Sequence, residues 1–130
     1  ATYECHHFCT AVHGPSQAIL QTDAPKDTEG LGRYFSPTDL VATALATCIL
    51  TTLGIVARRH SIELAGCTAT VEKHMNASPR RIGRLPVKLI ISGSYTDDQK
   101  KLLVNTANTC PVHKSLHPDI DAPITIDWAD

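Results

Sequence analysis

The residues of this chain best suited to chemistry are its five cysteines, Cys5, Cys9, Cys48, Cys67 and Cys110. An odd number at irregular spacing is unlike the dense disulfide framework of a small secreted domain, so the thiols are expected to be reduced and each must be judged by its surroundings. Cys48 sits in Ala44-Leu45-Ala46-Thr47-Cys48-Ile49-Leu50, in the middle of an apolar stretch. There a cysteine is ordinarily a small buried hydrophobe, and it lies about three turns past the helix start, too far for the macrodipole to act on it, so a nearby cation would be needed to activate it. Cys110 sits in Asn108-Thr109-Cys110-Pro111-Val112-His113-Lys114-Ser115-Leu116. Pro111 suits the first position of a helix, which makes Cys110 its N-cap, where free backbone N–H groups are expected to favour a thiolate and depress the pKa. Two thiols far apart in sequence, one buried and one at a helix start, suit a peroxidatic and resolving pair. The first becomes a sulfenic acid on attacking a peroxide, and the second condenses with it before over-oxidation.

Several elements must position these residues. Thr2 to Val12 alternates apolar and polar residues as a half-buried strand does, with Cys5, His7 and Cys9 on one face. His13 to Ser16 reads as a turn and Gln17 to Gln21 as the returning strand of a hairpin. Thr22 to Phe35, with Pro25, Gly30 and Gly32, is loop chemistry. Ser36-Pro37-Thr38-Asp39 starts a helix, with Ser36 as N-cap, Pro37 in the first position and Asp39 at the positive end of the dipole. Leu40 to Ala57 continues it, apolar nearly all round, as either a membrane span or the buried axis of a domain. Its threonines and small alanines favour the buried axis, so no membrane partner is expected. Ile62 to Met75 reads as a strand broken at Gly66, Pro79 to Arg81 as a turn, and Leu85 to Ser92 as its antiparallel partner. Thr96-Asp97-Asp98 caps a second helix running to Thr109, a short helical turn starts at Cys110-Pro111, and Ile124 to Trp128 is a last strand. The order β-β-α-β-β-α-(α)-β defines an α+β class within one domain, residues 1–130.

With these blocks placed, the chain resembles the OsmC/Ohr superfamily. The resemblance rests on Phe35-Ser36-Pro37-Thr38-Asp39-Leu40, then Ala44-Leu45-Ala46-Thr47-Cys48, then Cys110-Pro111-Val112-His113-Lys114-Ser115-Leu116, in that order along nearly the whole chain. It implies an OsmC-like fold in an intertwined homodimer, with mixed and antiparallel sheet wrapped around long buried central helices and the two cysteines meeting in a pocket at the subunit interface. It further implies an organic hydroperoxide substrate attacked by Cys48, a disulfide closed by Cys110, and a dithiol reductant that reopens it. No cofactor is implied. Where the superfamily's best-known members hold the thiolate with an early-loop Arg and a helix-start Glu, this sequence has no Arg in the hairpin around His13 and has Thr38 in place of the Glu. Arg33 and Asp39 are the nearest substitutes, with Arg80 and Arg81 as further candidates. The Ser-Pro-Thr-Asp-Leu version resembles the broad branch of the superfamily more than the dedicated hydroperoxide resistance enzymes.

Bulk properties exclude other classes. A net charge of −1 and a pI near 6.7, with no basic stripe, argue against nucleic acid. Hydrophobic residues at 42% and charged residues at 19% are those of a globular domain. No charged-then-apolar leader opens the sequence as given, and the cytoplasm is the expected compartment. Two alternatives remain: a Cys/His metal site built on Cys5, His7 and Cys9 or on Cys110 and His113, and a small-molecule-binding dimer that has lost the chemistry. Apolar residues around Cys48 favour an organic peroxide over hydrogen peroxide.

Overall fold

The computed structural model describes residues 1–130. They form two compact units, Ala1–Val41 and Ala42–Asp130.

The first unit is a three-stranded antiparallel sheet followed by a folded loop. Strands β1 (Thr2–Cys5), β2 (Phe8–Val12) and β3 (Ile19–Thr22) are neighbours in that order. The single strand expected from Thr2 to Val12 is therefore two. His6 and His7 form the turn between them, with φ of 48° and 67°, the left-handed pair that a tight two-residue hairpin turn demands. Neither residue is a Gly or Asn, so the usual turn signal is missing, while the apolar alternation runs straight through. The turn also breaks the shared face expected for Cys5, His7 and Cys9, and nowhere in the chain do three or more His, Cys, Asp or Glu side chains converge as metal ligands would.

After β3 the loop folds back on itself. The Pro25 carbonyl accepts from Thr28 and Gly30 N–H groups at 3.0 Å each, and the Ala24 carbonyl accepts from Gly32. The backbone approaches so closely at Gly30 that a Cβ there would overlap the Ala24 carbonyl. The loop closes where the Asp23 N–H donates to the Phe35 carbonyl.

Helix α1 (Pro37–Arg59) then begins as expected. The Asp39 N–H donates to Ser36 Oγ at 3.1 Å, and the Ser36 N–H donates to the Asp39 carboxylate at 2.9 Å. That reciprocal pair is a capping box with Asp in the third position. Only the first residues of α1 belong to the first unit, and the rest run through the second.

The second unit packs its core from α1, a mixed sheet and a second helix. Ala42, Leu45, Ile49, Leu53 and Ala57 recur every three or four residues along α1 and are all buried. Strand β7 (Val87–Ser92) is central, antiparallel to β4 (Thr68–Val71) and parallel to β8 (Ile124–Ala129). Its Val87, Leu89 and Ile91 are fully buried while Lys88 and Ile90 face out, the two-residue period read from the sequence. Helix α2 (Asp97–Ala107) starts at a capping box of Thr96 with Gln99 and adds Leu103 and Ala107 to the core. Helix α3 (Pro111–Ser115) follows directly.

The stretch from Ile62 to Met75 is not one strand. Only Thr68–Val71 pairs with β7, and the chain then leaves the sheet to form a separate hairpin, β5 (His74–Ala77) with β6 (Arg80–Arg84). Arg80 and Arg81, expected in the turn, are the first paired residues of β6, and the turn itself is Ser78-Pro79. Gly66 lies in the turn before β4, at φ 70°.

Candidate functional site

Helix α1 carries Cys48 on the flank of its buried row, between Leu45 and Ile49, so that the thiol is half-buried. Helix α3 carries Cys110 at its N-cap, where it is fully buried. Pro111 lacks an N–H and has φ preset for a helix, so the chain turns sharply and the next amides point back towards the cap. Cys110 Sγ accepts from the His113 N–H at 3.5 Å, as an N-cap side chain does. The His113 ring is tied down in turn, its Nε2 lying 2.9 Å from the Ala122 carbonyl in the segment leading into β8.

The two sulfurs meet. The Cys110 side chain is hydrogen-bonded to that of Cys48, and Cys48 also accepts from the Val112 N–H and the Thr52 side chain. Burial alone pushes the Cys48 thiol up, but these three donors outweigh it and leave Cys48 below its ordinary value. Cys110 moves the opposite way. Its burial raises it first, and serving as the donor to Cys48 raises it further, against the lowering effect of the His113 and Val112 amides. The expectation of a depressed Cys110 is thus overturned. The α3 amides favour negative charge as anticipated, but Cys110 is the more deeply buried sulfur and acts as donor to its neighbour, so the charge settles on Cys48. Three hydrogen-bond donors thus favour the Cys48 thiolate without a neighbouring cation.

Two of those donors were not foreseen in the sequence. Thr52 lies four residues after Cys48, one helical turn along the same face, and its hydroxyl also reaches the Cys48 carbonyl at 2.8 Å. The Val112 amide carries no sequence signal beyond its place after Pro111. The remaining cysteines differ. Cys5 is exposed, Cys9 and Cys67 are half-buried, and burial raises the Cys67 thiol.

The other two candidates are described within the first unit. Asp39 is engaged in the capping box of α1. Arg33 donates from Nε to Asp23 Oδ2 at 3.0 Å and from its backbone N–H to the same oxygen at 3.3 Å.

A half-buried thiol of lowered proton affinity in hydrogen-bond contact with a buried thiol of raised affinity, on an α+β scaffold, defines a two-cysteine thiol site. Comparison with known proteins carries this further. The sequence profile of the family described as OsmC-like protein matches residues 30–125, and the chain belongs to that family. It is similar to a crystal structure from Psychrobacter arcticus 273-4, described as an osmotic stress induced and detoxification response protein, with 45% identity, a TM-score of 0.91, and 97% of this chain and 92% of that one covered. A Vibrio cholerae O1 biovar eltor structure described as an organic hydroperoxide resistance protein, with captopril bound in one of its active sites, is 25% identical at a TM-score of 0.69, covering 96% of this chain and 88% of that one. An organic hydroperoxide resistance protein OsmC from Legionella pneumophila shares the fold at 22% identity and a TM-score of 0.64, with 98% of each chain covered. Among curated proteins none matches the chain in sequence. Proteins of this family are soluble and generally dimeric.

Proposed function

We propose that the chain is a thiol-dependent organic hydroperoxide reductase of the cytoplasm, acting as one OsmC-like domain in a homodimer, with Cys48 peroxidatic and Cys110 resolving. The observation that carries this reading is the contact between the two sulfurs with their proton affinities pushed apart. The Cys48 thiolate attacks the terminal oxygen of the hydroperoxide. An S–O bond forms as the O–O bond breaks, the alkoxide leaves with a proton as an alcohol, and Cys48 is oxidised to a sulfenic acid. The Cys110 sulfur then attacks the Cys48 sulfur and expels water, forming a disulfide. A dithiol reduces that disulfide by exchange and restores both thiols.

Cys110 suits the second role because it is already in contact and, as a neutral donor, does not compete for the peroxide. Asp39 serves as a positioning residue by fixing the start of the helix that carries Cys48. Arg33, anchored by Asp23 and half-exposed, is the candidate cation for orienting the peroxide. A dimer is supported by the large apolar side chains left exposed, among them Tyr3 at 64%, Ile19 at 70% and Ile55 at 47%.

Non-reducing mass analysis after one equivalent of cumene hydroperoxide tests the reading. A Cys48–Cys110 disulfide is expected in the wild type and a trappable Cys48 sulfenic acid in Cys110→Ser. Free thiols persisting in both would refute it.

A further inference from the structure

The first unit contains a cavity of about 490 Å³ whose walls include His6, His7, Phe8, Glu29, Leu31 and Arg33. That volume is within the range of small-molecule sites. Arg33 is the fixed point in it. Its Nε and its own backbone N–H both donate to Oδ2 of Asp23, a residue only 1% exposed. Asp23 Oδ1 is buried and has no hydrogen-bond partner. The carboxylate therefore depends on Arg33 for its charge balance, and the arginine cannot swing away without stranding a buried anion.

Only the inner edge of the guanidinium is used in this way. The side chain is half-exposed, and its Cζ lies 5.7 Å from the centroid of the Phe8 ring. The result is a planar guanidinium anchored at Nε and half-exposed, lining the same cavity as the apolar side chains of Phe8 and Leu31. A fork of this shape matches a planar oxyanion through two parallel hydrogen bonds. Charge limits which oxyanion. Arg33 is already offset by Asp23, and Glu29, 3.9 Å from His7, lines the cavity, so a second negative charge on a ligand would find no further fixed cation.

The hairpin turn sets the backbone conformation beside the cavity, but the residues that adopt it are ones for which it is costly. Five non-glycine residues adopt positive φ, and three of them, His6, His7 and Glu29, line this one cavity. A Gly or Asn at the turn would relieve that cost, and such strain gathers where side chains are held for a ligand.

We propose that this cavity binds an organic monocarboxylate, with its carboxylate on the outer edge of Arg33 and its apolar body against Phe8 and Leu31. The proposal is tested without the thiol chemistry. Amide chemical shifts of the isotope-labelled full chain are followed during titration with octanoate, with octanol and with inorganic phosphate. Octanoate is expected to give saturable shifts at His6 to Phe8 and at Glu29 to Arg33, with octanol about tenfold weaker and phosphate weaker still. Arg33→Lys, which keeps the charge but loses the fork, is expected to weaken octanoate about tenfold. Leu31→Glu alters a side chain that is 62% exposed, so folding should be undisturbed, and its added charge should weaken octanoate at least as much. Octanol or phosphate binding as tightly as octanoate would overturn the proposal. So would shifts that map elsewhere, full affinity in Leu31→Glu, or shifts that follow protein concentration alone, which would mean that a second copy of the chain fills the cavity.

Discussion

Thr52→Val is the sharpest probe of how Cys48 is activated, because it removes one hydroxyl and nearly preserves volume. The Thr52 hydroxyl has a single hydrogen and two acceptors within reach, the Cys48 carbonyl at 2.8 Å and the Cys48 sulfur. While Cys48 is a thiol, the carbonyl is the better acceptor. When the thiolate forms, the hydrogen gains by turning to sulfur. It exchanges a neutral hydrogen bond worth about 1 kcal/mol for a charge-assisted one worth about 2 kcal/mol. The difference, about 1 kcal/mol, is roughly a fivefold change in the thiolate fraction below the pKa. The site is only half-buried, so solvent screening makes this an upper figure.

The assay is alkylation of Cys48 by iodoacetamide across pH, read by peptide mass mapping so that exposed Cys5 does not obscure it. In the wild type the rate rises with pH as the thiolate forms, through a midpoint below that of an ordinary thiol. In Thr52→Val the curve moves to higher pH, with rates on the acid limb about fivefold lower and the alkaline plateau unchanged. Thr52→Ser restores the wild-type curve. Superimposable wild-type and Val curves would refute the donor role, and a uniform drop that includes the plateau would show a packing effect instead.

Other substitutions test the supporting structure. His113→Leu, which removes the tie from Nε2 to Ala122, is expected to loosen α3 and slow Cys48 alkylation at neutral pH a few-fold, while His113→Gln, which can still donate, recovers most of the rate. Ser36→Ala opens the capping box of α1 and should cost about 1 kcal/mol in denaturant unfolding. Leu89→Ala, at a fully buried position on β7, should cost about 2–5 kcal/mol in the same experiment. Asp23 is held below the ordinary carboxylate range chiefly by its hydrogen bond from Arg33, against burial. Its stabilising effect is therefore present above that range and lost as pH falls through the depressed value. Asp23→Asn should flatten the acid limb of the stability curve below about pH 4, measured by denaturant unfolding at a series of pH values.

What could be read from the sequence was whatever depends on near neighbours in the chain. The N-cap at Ser36, the proline after Cys110 and the alternation of β7 are all local, and each is present in the structure. The pairing of Cys48 with Cys110 is not local. The residue types suggest a pair, and that the two side chains meet is what the resemblance of the surrounding blocks implies. The failures have the opposite character. The His6-His7 turn interrupts an unbroken alternation with residues that seldom accept positive φ, and the exit of the chain from the sheet after Val71 follows from which strands find partners. Propensity carries little information about either.

Local reasoning about a helix start can identify where negative charge is favoured without identifying which sulfur carries it. Everything that would favour a thiolate at Cys110 is present: the proline, the turn and the inward-pointing amides. A helix start, however, stabilises negative charge within reach and not on a particular atom. Two hydrogen-bonded sulfurs lie within reach here, and charge on one disfavours charge on the other. The fully buried sulfur pays more to ionise and keeps its proton, and in keeping it becomes one of the donors that allow the half-buried sulfur to ionise. The asymmetry that the proposed peroxidatic and resolving roles would need, one thiolate open to a substrate and one thiol held in reserve against it, is matched by a difference in depth between two residues of the same type.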